Sequence, residues 1–213
     1  MPKPTAVCAT LAAGLTAVNG SLDAVDNNST ASQPDAQRIQ DAIDACPAGQ
    51  AVKLVQGSSG EAGFLSGPLQ LKSGVTLWID SGVTLFGSRN PADYDNGPGT
   101  CGTATSSDAN ACNPLISVNG TTGSGIVGDG TIDGRGGSRL TSGPNKGVRS
   151  WWDVAYQNKS AGLNQQNPRT IQVKKGSNFT LYRITVQNSP NFHIVTTGVT
   201  GVTAWGIKIL SPS

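Results

Sequence analysis

The sequence predicts an all-β solenoid, a parallel β-helix, on three observations. First, Asn178–Pro190 lies over Gly201–Ser213 without a gap, at a fixed offset of twenty-three residues. Phe179 then meets Val202, Leu181 meets Ala204, Ile184 meets Ile207 and Val186 meets Ile209. The same offset carries Ile171 onto Ile194 and Val173 onto Thr196. A fixed period of this size marks a chain whose units stack on one another. Second, the repeating unit is short β-branched strands parted by Gly, Asn and Ser, which turn the chain between the sides of a coil. Third, a single amphipathic helix precedes the strands, as a cap over a first coil would. The whole of residues 1–213 reads as one β-helix domain, incomplete at its C-terminal side, with the cap at 32–46 and a long excursion at 134–167.

Each element follows from local chemistry. Lys3 and the run Thr5–Val18 faintly resemble a signal peptide. The run is weakly apolar, however, it contains Thr10 and Thr16, and its removal would orphan Cys46. Met1 is therefore read as an artificial or mature-length start. In the cap, Ile39, Ala42, Ile43 and Cys46 recur at helical spacing. Ser32 with Asp35 resembles a capping box with Asp for Glu, Pro34 stands near the first turn, and Pro47 ends the helix. A partner-binding helix is the less favoured use of the same apolar face. Strands are expected at Ala51–Val55, Phe64–Leu65, Leu69–Leu71, Val75–Ile79 and Val83–Phe86. The two Gly-Val-Thr-Leu stretches at Gly74 and Gly82 suit two sides of one coil. Arg89–Asn113 reads as a loop. Leu115–Val118 and Ile126–Ile132 resume the strand pattern, and Asn113-Pro114 reappears as Asn167-Pro168 before Thr170–Val173. Between them the excursion carries Trp151, Trp152 and Tyr156. It either walls a binding site or anchors itself on the barrel through its tryptophans.

Composition narrows the class. Charged residues are 13% of the chain, Gly numbers 28, and the formal net charge is +2. A surplus that small gives no basis for a nucleic-acid partner. No run of 18 apolar residues exists, so no transmembrane helix is expected. With four cysteines, no Cys-x-x-Cys and one histidine, a metal site is poorly supported and no cofactor is expected. Of three possible connectivities, Cys8 with Cys46 and Cys101 with Cys112 is favoured. The second pair brackets a Gly/Ser/Thr/Asn-rich loop that little else holds, and closing it stabilises by about 2.5–3 kcal/mol in the chain-entropy model. Four buried thiols are the alternative. Disulfides imply a secreted protein. Asn28, Asn119, Asn158 and Asn178 open Asn-x-Ser/Thr sequons, which matter only in a eukaryotic host.

Several segments resemble the pectin-degrading polygalacturonases, family 28 of the glycoside hydrolases, and its bacterial endo-acting members most. They are Ile39–Cys46, Gly74–Gly87, Gly128–Gly134 (Gly-Asp-Gly-Thr-Ile-Asp-Gly), Ser150–Asp153 and Asn188–Ile194 (Asn-Ser-Pro-Asn-Phe-His-Ile), in the family's order. The resemblance implies a right-handed parallel β-helix that hydrolyses α-1,4-linked galacturonan with inversion and without a metal. The family's catalytic signatures, Asn-Thr-Asp, Asp-Asp, Gly-His-Gly and Arg-Ile-Lys, are absent from this sequence and are expected beyond Ser213. The chain therefore reads as a truncated N-terminal part with no catalytic residue of its own.

An inverting glycosidase needs two carboxyl groups about 6.5–9.5 Å apart. Asp129 and Asp133 are the evident pair, but four residues along a strand span about 13 Å, and Gly flanks each, as in turns. Asp93 and Asp95 sit in a Pro/Asn/Gly loop, and Asp153 follows Trp152. Substrate contacts are expected from His193 above all. Alternation puts Phe192 and Ile194 inward and His193 and Val195 outward, with Thr170, Gln172 and Lys174 outward one period before. Arg169, Asn188, Lys208, Trp151 and Trp152 complete the substrate-binding set. The partner is a pectic polysaccharide, and the chain, if it folds alone, is a monomer whose last coil is open to aggregation. Two other readings stay open: a non-catalytic oligogalacturonide-binding or decoy β-helix, and a purely structural fragment. Relatives acting on rhamnogalacturonan share the scaffold, which does not choose among them.

Overall fold

The computed structural model describes residues 4, 6–27, 31–106 and 111–211. Met1, Lys3, Thr5, the Asn28 sequon, Pro212 and Ser213 lie outside them. The chain enters as β1 (Val7–Ala12), passes the short helix α1 (Asp23–Asp26) and forms the cap helix α2 (Ala36–Ala45). Winding then begins with β2 (Ala51–Val55), β3 (Gly63–Ser66) and β4 (Leu69–Leu71). β5 (Thr76–Ile79) and β6 (Thr84–Gly87) lead through α3 (Pro91–Tyr94) to β7 (Ile116–Asn119). β8 (Gly125–Gly128) and β9 (Thr131–Asp133) lead through α4 (Trp151–Ser160) to β10 (Ile171–Tyr182). The last described coil is β11 (Thr185–Gln187), β12 (Ile194–Trp205) and β13 (Lys208–Leu210).

The strands pair in parallel into three ladders of a right-handed β-helix. The first stacks β4, β7, the start of β10 and the start of β12. The second stacks β1, β2, β5, β8, the end of β10 and the end of β12. The third stacks β3, β6, β9, β11 and β13. β10 serves two ladders because it bends between them, where Lys175 and Asn178 take left-handed φ angles of 48° and 55°. The twenty-three-residue register is the pairing of the last two coils: Ile171 with Ile194, Phe179 with Val202, Val186 with Ile209.

Inward side chains stack from coil to coil and make the core. Leu69, Ile116 and Ile171 line the first ladder, Val52, Leu77, Ile126 and Leu181 the second, and Phe64, Leu85, Ile132 and Val186 the third; all are buried. Helix α2 packs Ile39 and Ile43 into the same core and rests on β1, β2 and β4. Both favoured disulfides are present, with Cα separations of 5.5 Å for Cys8–Cys46 and 5.1 Å for Cys101–Cys112.

Several local expectations are corrected. The Thr5–Val18 run holds a strand, β1, paired parallel to β2. Asp35 stands at the N-cap of α2, but its side chain caps nothing there. It accepts instead from the Leu65 N–H at 2.6 Å and from Arg38 at 2.7 Å, so the tertiary contact outcompetes the capping box. Ile126–Ile132 is two strands on two ladders, not one. Gly128 makes the corner at φ 131°, where a Cβ would meet the Ile79 carbonyl oxygen at 1.8 Å. The 89–113 loop contains α3, and the excursion contains a full helix, α4, capped by a reciprocal Ser150–Asp153 box. The Asn-Pro echo is one residue out of register, since Ile116 pairs with Ile171. Asn158, which opens its sequon, is itself buried within α4, its amide donating to the Asn164 carbonyl.

The segment before the cap runs along the outside of the third ladder. Leu22 packs on Leu65 and Phe86 there. A buried ion cluster clamps it: Arg135 reaches Asp26 at 2.6 Å and Asp23 at 2.5 Å, and Arg89 also holds Asp26. Burial alone would raise the Asp26 carboxyl, but hydrogen bonds and charge from Arg135 and Arg89 outweigh it and hold the group below its ordinary 3.8. A depressed folded-state value stabilises the fold above the ordinary range, and that contribution is lost as pH falls through the folded-state value. Asp26→Ala leaves two buried guanidinium groups short of a partner and should cost about 3–5 kcal/mol in denaturant unfolding. Between pH 7 and pH 3 the wild-type midpoint should fall more than that of Asp26→Asn; equal slopes would show that Asp26 is not the acid-sensitive group.

Candidate functional site

The outward side chains of the first ladder form a mostly polar face. Gln70, Ser117, Gln172 and Val195 stand in one row, and Asn119, Lys174 and Thr197 in the next. Rows rise by about 4.8 Å per coil, so the face is a long track suited to an extended polymer. Lys174 is exposed on it. Gln172 is covered by its neighbours, and its Nε2 is buried without a hydrogen-bond partner. Among the described residues these two rows carry no carboxylate.

Every connection from the third ladder to the first leaves at the same corner, and the longest of them builds the wall beside this face. Trp151 is fully buried, edge-on to Tyr94 with ring centroids 5.9 Å apart. It anchors the excursion and has no surface to offer a sugar, which corrects its place in the substrate-binding set. Trp152 donates from Nε1 to the Ser189 carbonyl at 2.8 Å. Gly136 and Gly137 make room for its ring, where a Cβ would come within 2.2 and 2.7 Å of indole atoms. Asn167, fully buried, donates to the carbonyls of Trp151 and Pro190 at 2.6 and 3.1 Å. Thr170 Oγ1 donates to Ser189 Oγ. The turn Ser189–Asn191 is thus pinned from three sides, and it delivers Phe192 and His193 to the rim.

The rim differs from strict alternation. Phe192 and His193 precede β12, so pleat geometry does not govern them, and Phe192 is 58% exposed rather than inward. His193 is half-buried, its Nε2 3.3 Å from the Leu210 carbonyl and 3.3 Å from Ser211 Oγ. Thr170 is buried rather than outward. Arg169 is half-buried beside Asn191 and Phe192. Asn188 and Trp152 do not join this face. They line a separate cleft over the third ladder with Phe86, Asp133 and Arg135. Lys208 is exposed at the start of β13.

The dismissed carboxylates all have structural partners. Asp129 pairs with Arg183. Asp133, buried, accepts from Gln187 at 2.8 Å, from Asn188 at 2.9 Å and from the Arg135 backbone N–H. Asp93 accepts from Asn90 and Ser88, and Asp95 accepts the N–H groups of Gly97, Gly99 and Cys101. Asp153 completes the cap of α4; hydrogen bonds from the Ser150 backbone and hydroxyl hold it below the ordinary carboxylate range. Among the described residues no group of three His, Cys, Asp or Glu side chains could hold a metal. Sequence reasoning missed Asn167 and the helix behind it. Ser150-x-x-Asp153 was the signal for that helix.

The molecule is a parallel β-helix with a polar track on its first ladder and a loop wall at one edge. The profile of glycosyl hydrolases family 28 matches residues 46–213, and the chain belongs to that family. Over all 213 residues it is 71% identical to the polygalacturonase of Ralstonia nicotianae, covering 40% of that protein. It is 48% identical over 175 residues to an endo-polygalacturonase of Pectobacterium carotovorum subsp. carotovorum, covering 42% of it. The solved polygalacturonase from Erwinia carotovora ssp. carotovora superposes with a TM-score of 0.84 at 40% identity, over 100% of this chain and 50% of that one. The chain thus spans about 40% of the length of these curated relatives. No helix among the described residues is long and apolar enough to cross a membrane.

Asn167→Ala removes the bond to the Pro190 carbonyl of the pinned turn and the bond to the Trp151 carbonyl of α4, and should cost about 1–3 kcal/mol. Amide exchange at Asn191–His193 should accelerate while the α2 amides keep their protection; unchanged exchange in the turn would mean that Trp152 and Thr170 hold it unaided.

Proposed function

We propose that this chain supplies the first coils and part of the substrate track of a polygalacturonase, an inverting hydrolase of the α-1,4-galacturonan of pectin. The observation that carries the proposal is 71% identity along the whole chain to a protein named polygalacturonase. The polar first-ladder face, with Lys174 on it and Arg169 and His193 at its rim, supports a polyanionic polymer as partner. The two disulfides support secretion, where thiols oxidise and where a cell-wall polymer is met. The protein acts as a monomer and needs neither metal nor cofactor, since inversion requires only a protonated carboxyl and a second one activating water. That pair lies outside these 213 residues. Asp129 and Asp133 are occupied by Arg183, Gln187 and Asn188, so neither is free for general acid or base work.

The test is release of new reducing ends from polygalacturonate. The folded 213-residue chain should release none above background. A chain extended to the length of its relatives should be active, and Asp129→Asn and Asp133→Asn should leave the active form's rate within about twofold, as expected for residues remote from the chemistry. Activity in the short chain, abolished by either change, would overturn the assignment.

A further inference from the structure

At the corner where α4 ends and the pinned turn begins there is a cleft of about 370 Å³, walled by Lys159, Leu163, Asn164, Arg169, Asn191 and Phe192. Among the described residues no carboxylate lines it. Some surface cations are matched locally, Lys53 with Asp80, Arg38 with Asp35 and Arg183 with Asp129. Lys159 and Arg169 are not, for among the described residues neither forms an ion pair. The Arg169 Nε is buried and has no hydrogen-bond partner. Such a donor is costly to leave unmet, and the cleft that Arg169 lines is where an acceptor meets its side chain.

The walls are held in place before any ligand arrives. The Arg169 carbonyl accepts from the Leu115 N–H at 2.9 Å, and the Phe192 carbonyl accepts from the Thr170 N–H at 3.0 Å. The Asn191 side chain donates to the Asn167 carbonyl at 3.3 Å. Fixed walls reduce the ordering cost of binding. Phe192 is more than half exposed beside the two cations, though its backbone is fixed. An aromatic ring next to unmatched cations recognises a ligand with an apolar C–H face and a carboxylate on the same small ring.

We infer that this cleft is a uronate-binding site, in which Arg169 and Lys159 take the sugar carboxylate and Phe192 underlies the ring. The inference rests on the galacturonan reading and adds to it a means of telling free acid from methyl ester. A carboxylate gains charge-assisted hydrogen bonds from the guanidinium and ammonium groups, whereas an ester offers only a weaker neutral acceptor. Lys159 also lies in the last turn of α4, where a cation suits the helix dipole. That second role is blind to the ester state of a ligand, so the two can be separated.

The experiment is calorimetric titration of the 213-residue chain with trigalacturonate and with its fully methyl-esterified form, at low and high salt. Wild type should bind the acid more tightly than the ester, with the gap closing at high salt. Lys159→Ala and Arg169→Gln should each weaken acid binding about three- to fivefold and leave ester binding unchanged. Phe192→Ala should weaken both forms alike. Lys159 is exposed, so its variant carries the test even if Arg169→Gln folds poorly. Unchanged affinities in all three variants, with wild-type binding intact, would remove the cleft and leave the galacturonan reading standing. Equal loss of acid and ester binding in Lys159→Ala would also overturn the inference. Binding of neither form by wild type would remove both the cleft and the proposed track.

Discussion

Coil-on-coil register is the constraint on which everything else depends. Each strand of a coil satisfies its backbone on the strands above and below, and each inward side chain must lie over its counterpart. Ile116, Ile171 and Ile194 do this on the first ladder, and Leu85, Ile132 and Val186 on the third. Parallel pairing allows no slip, because a shift of one residue would turn every core side chain to solvent. Extra chain therefore cannot enter a ladder and must leave at a corner.

That rule locates the excursions. The connections before β7 and before β10 both leave between the third and first ladders, so their described residues accumulate along one edge of the polar track. Once there they need anchors of their own. Trp151 against Tyr94, Trp152 on Ser189 and Asn167 on Pro190 provide them, and the same contacts fix the turn that presents Phe192 and His193. The wall and the rim are thus one mechanical unit. The Asp23–Asp26–Arg89–Arg135 cluster performs the corresponding task for the segment before the cap. Buried charge is an expensive fastening, and its weakness in acid follows directly from the depressed Asp26 carboxyl.

Much of the fold was legible because its signals are local and repeated. The Gly74 and Gly82 stretches are two sides of one coil, as their spacing implied. The candidate site was legible only in part. Gln172 and Lys174 lie on strands, and alternation gave their direction correctly, although burial of Gln172 depends on its neighbours. Phe192 and Thr170 were misdirected because alternation was carried past the strand end into a turn held by side chains from the excursion. Trp151 was weighed as a possible ligand contact, and only Tyr94, fifty-seven positions away in the chain, makes it a core residue.

By itself the sequence determined the period, most of the strands, the cap helix and the family, since all of these are written in spacing and short motifs. Tertiary structure decided where the helix of the excursion docks, which carboxylates are already engaged and which cations are left unmatched. Asp26 with Arg135 and Asn167 with Pro190 join positions far apart in the chain, and no local pattern encodes such a meeting. Long-range pairing is set by how coils stack, and only the stacked molecule brings those groups within hydrogen-bond reach.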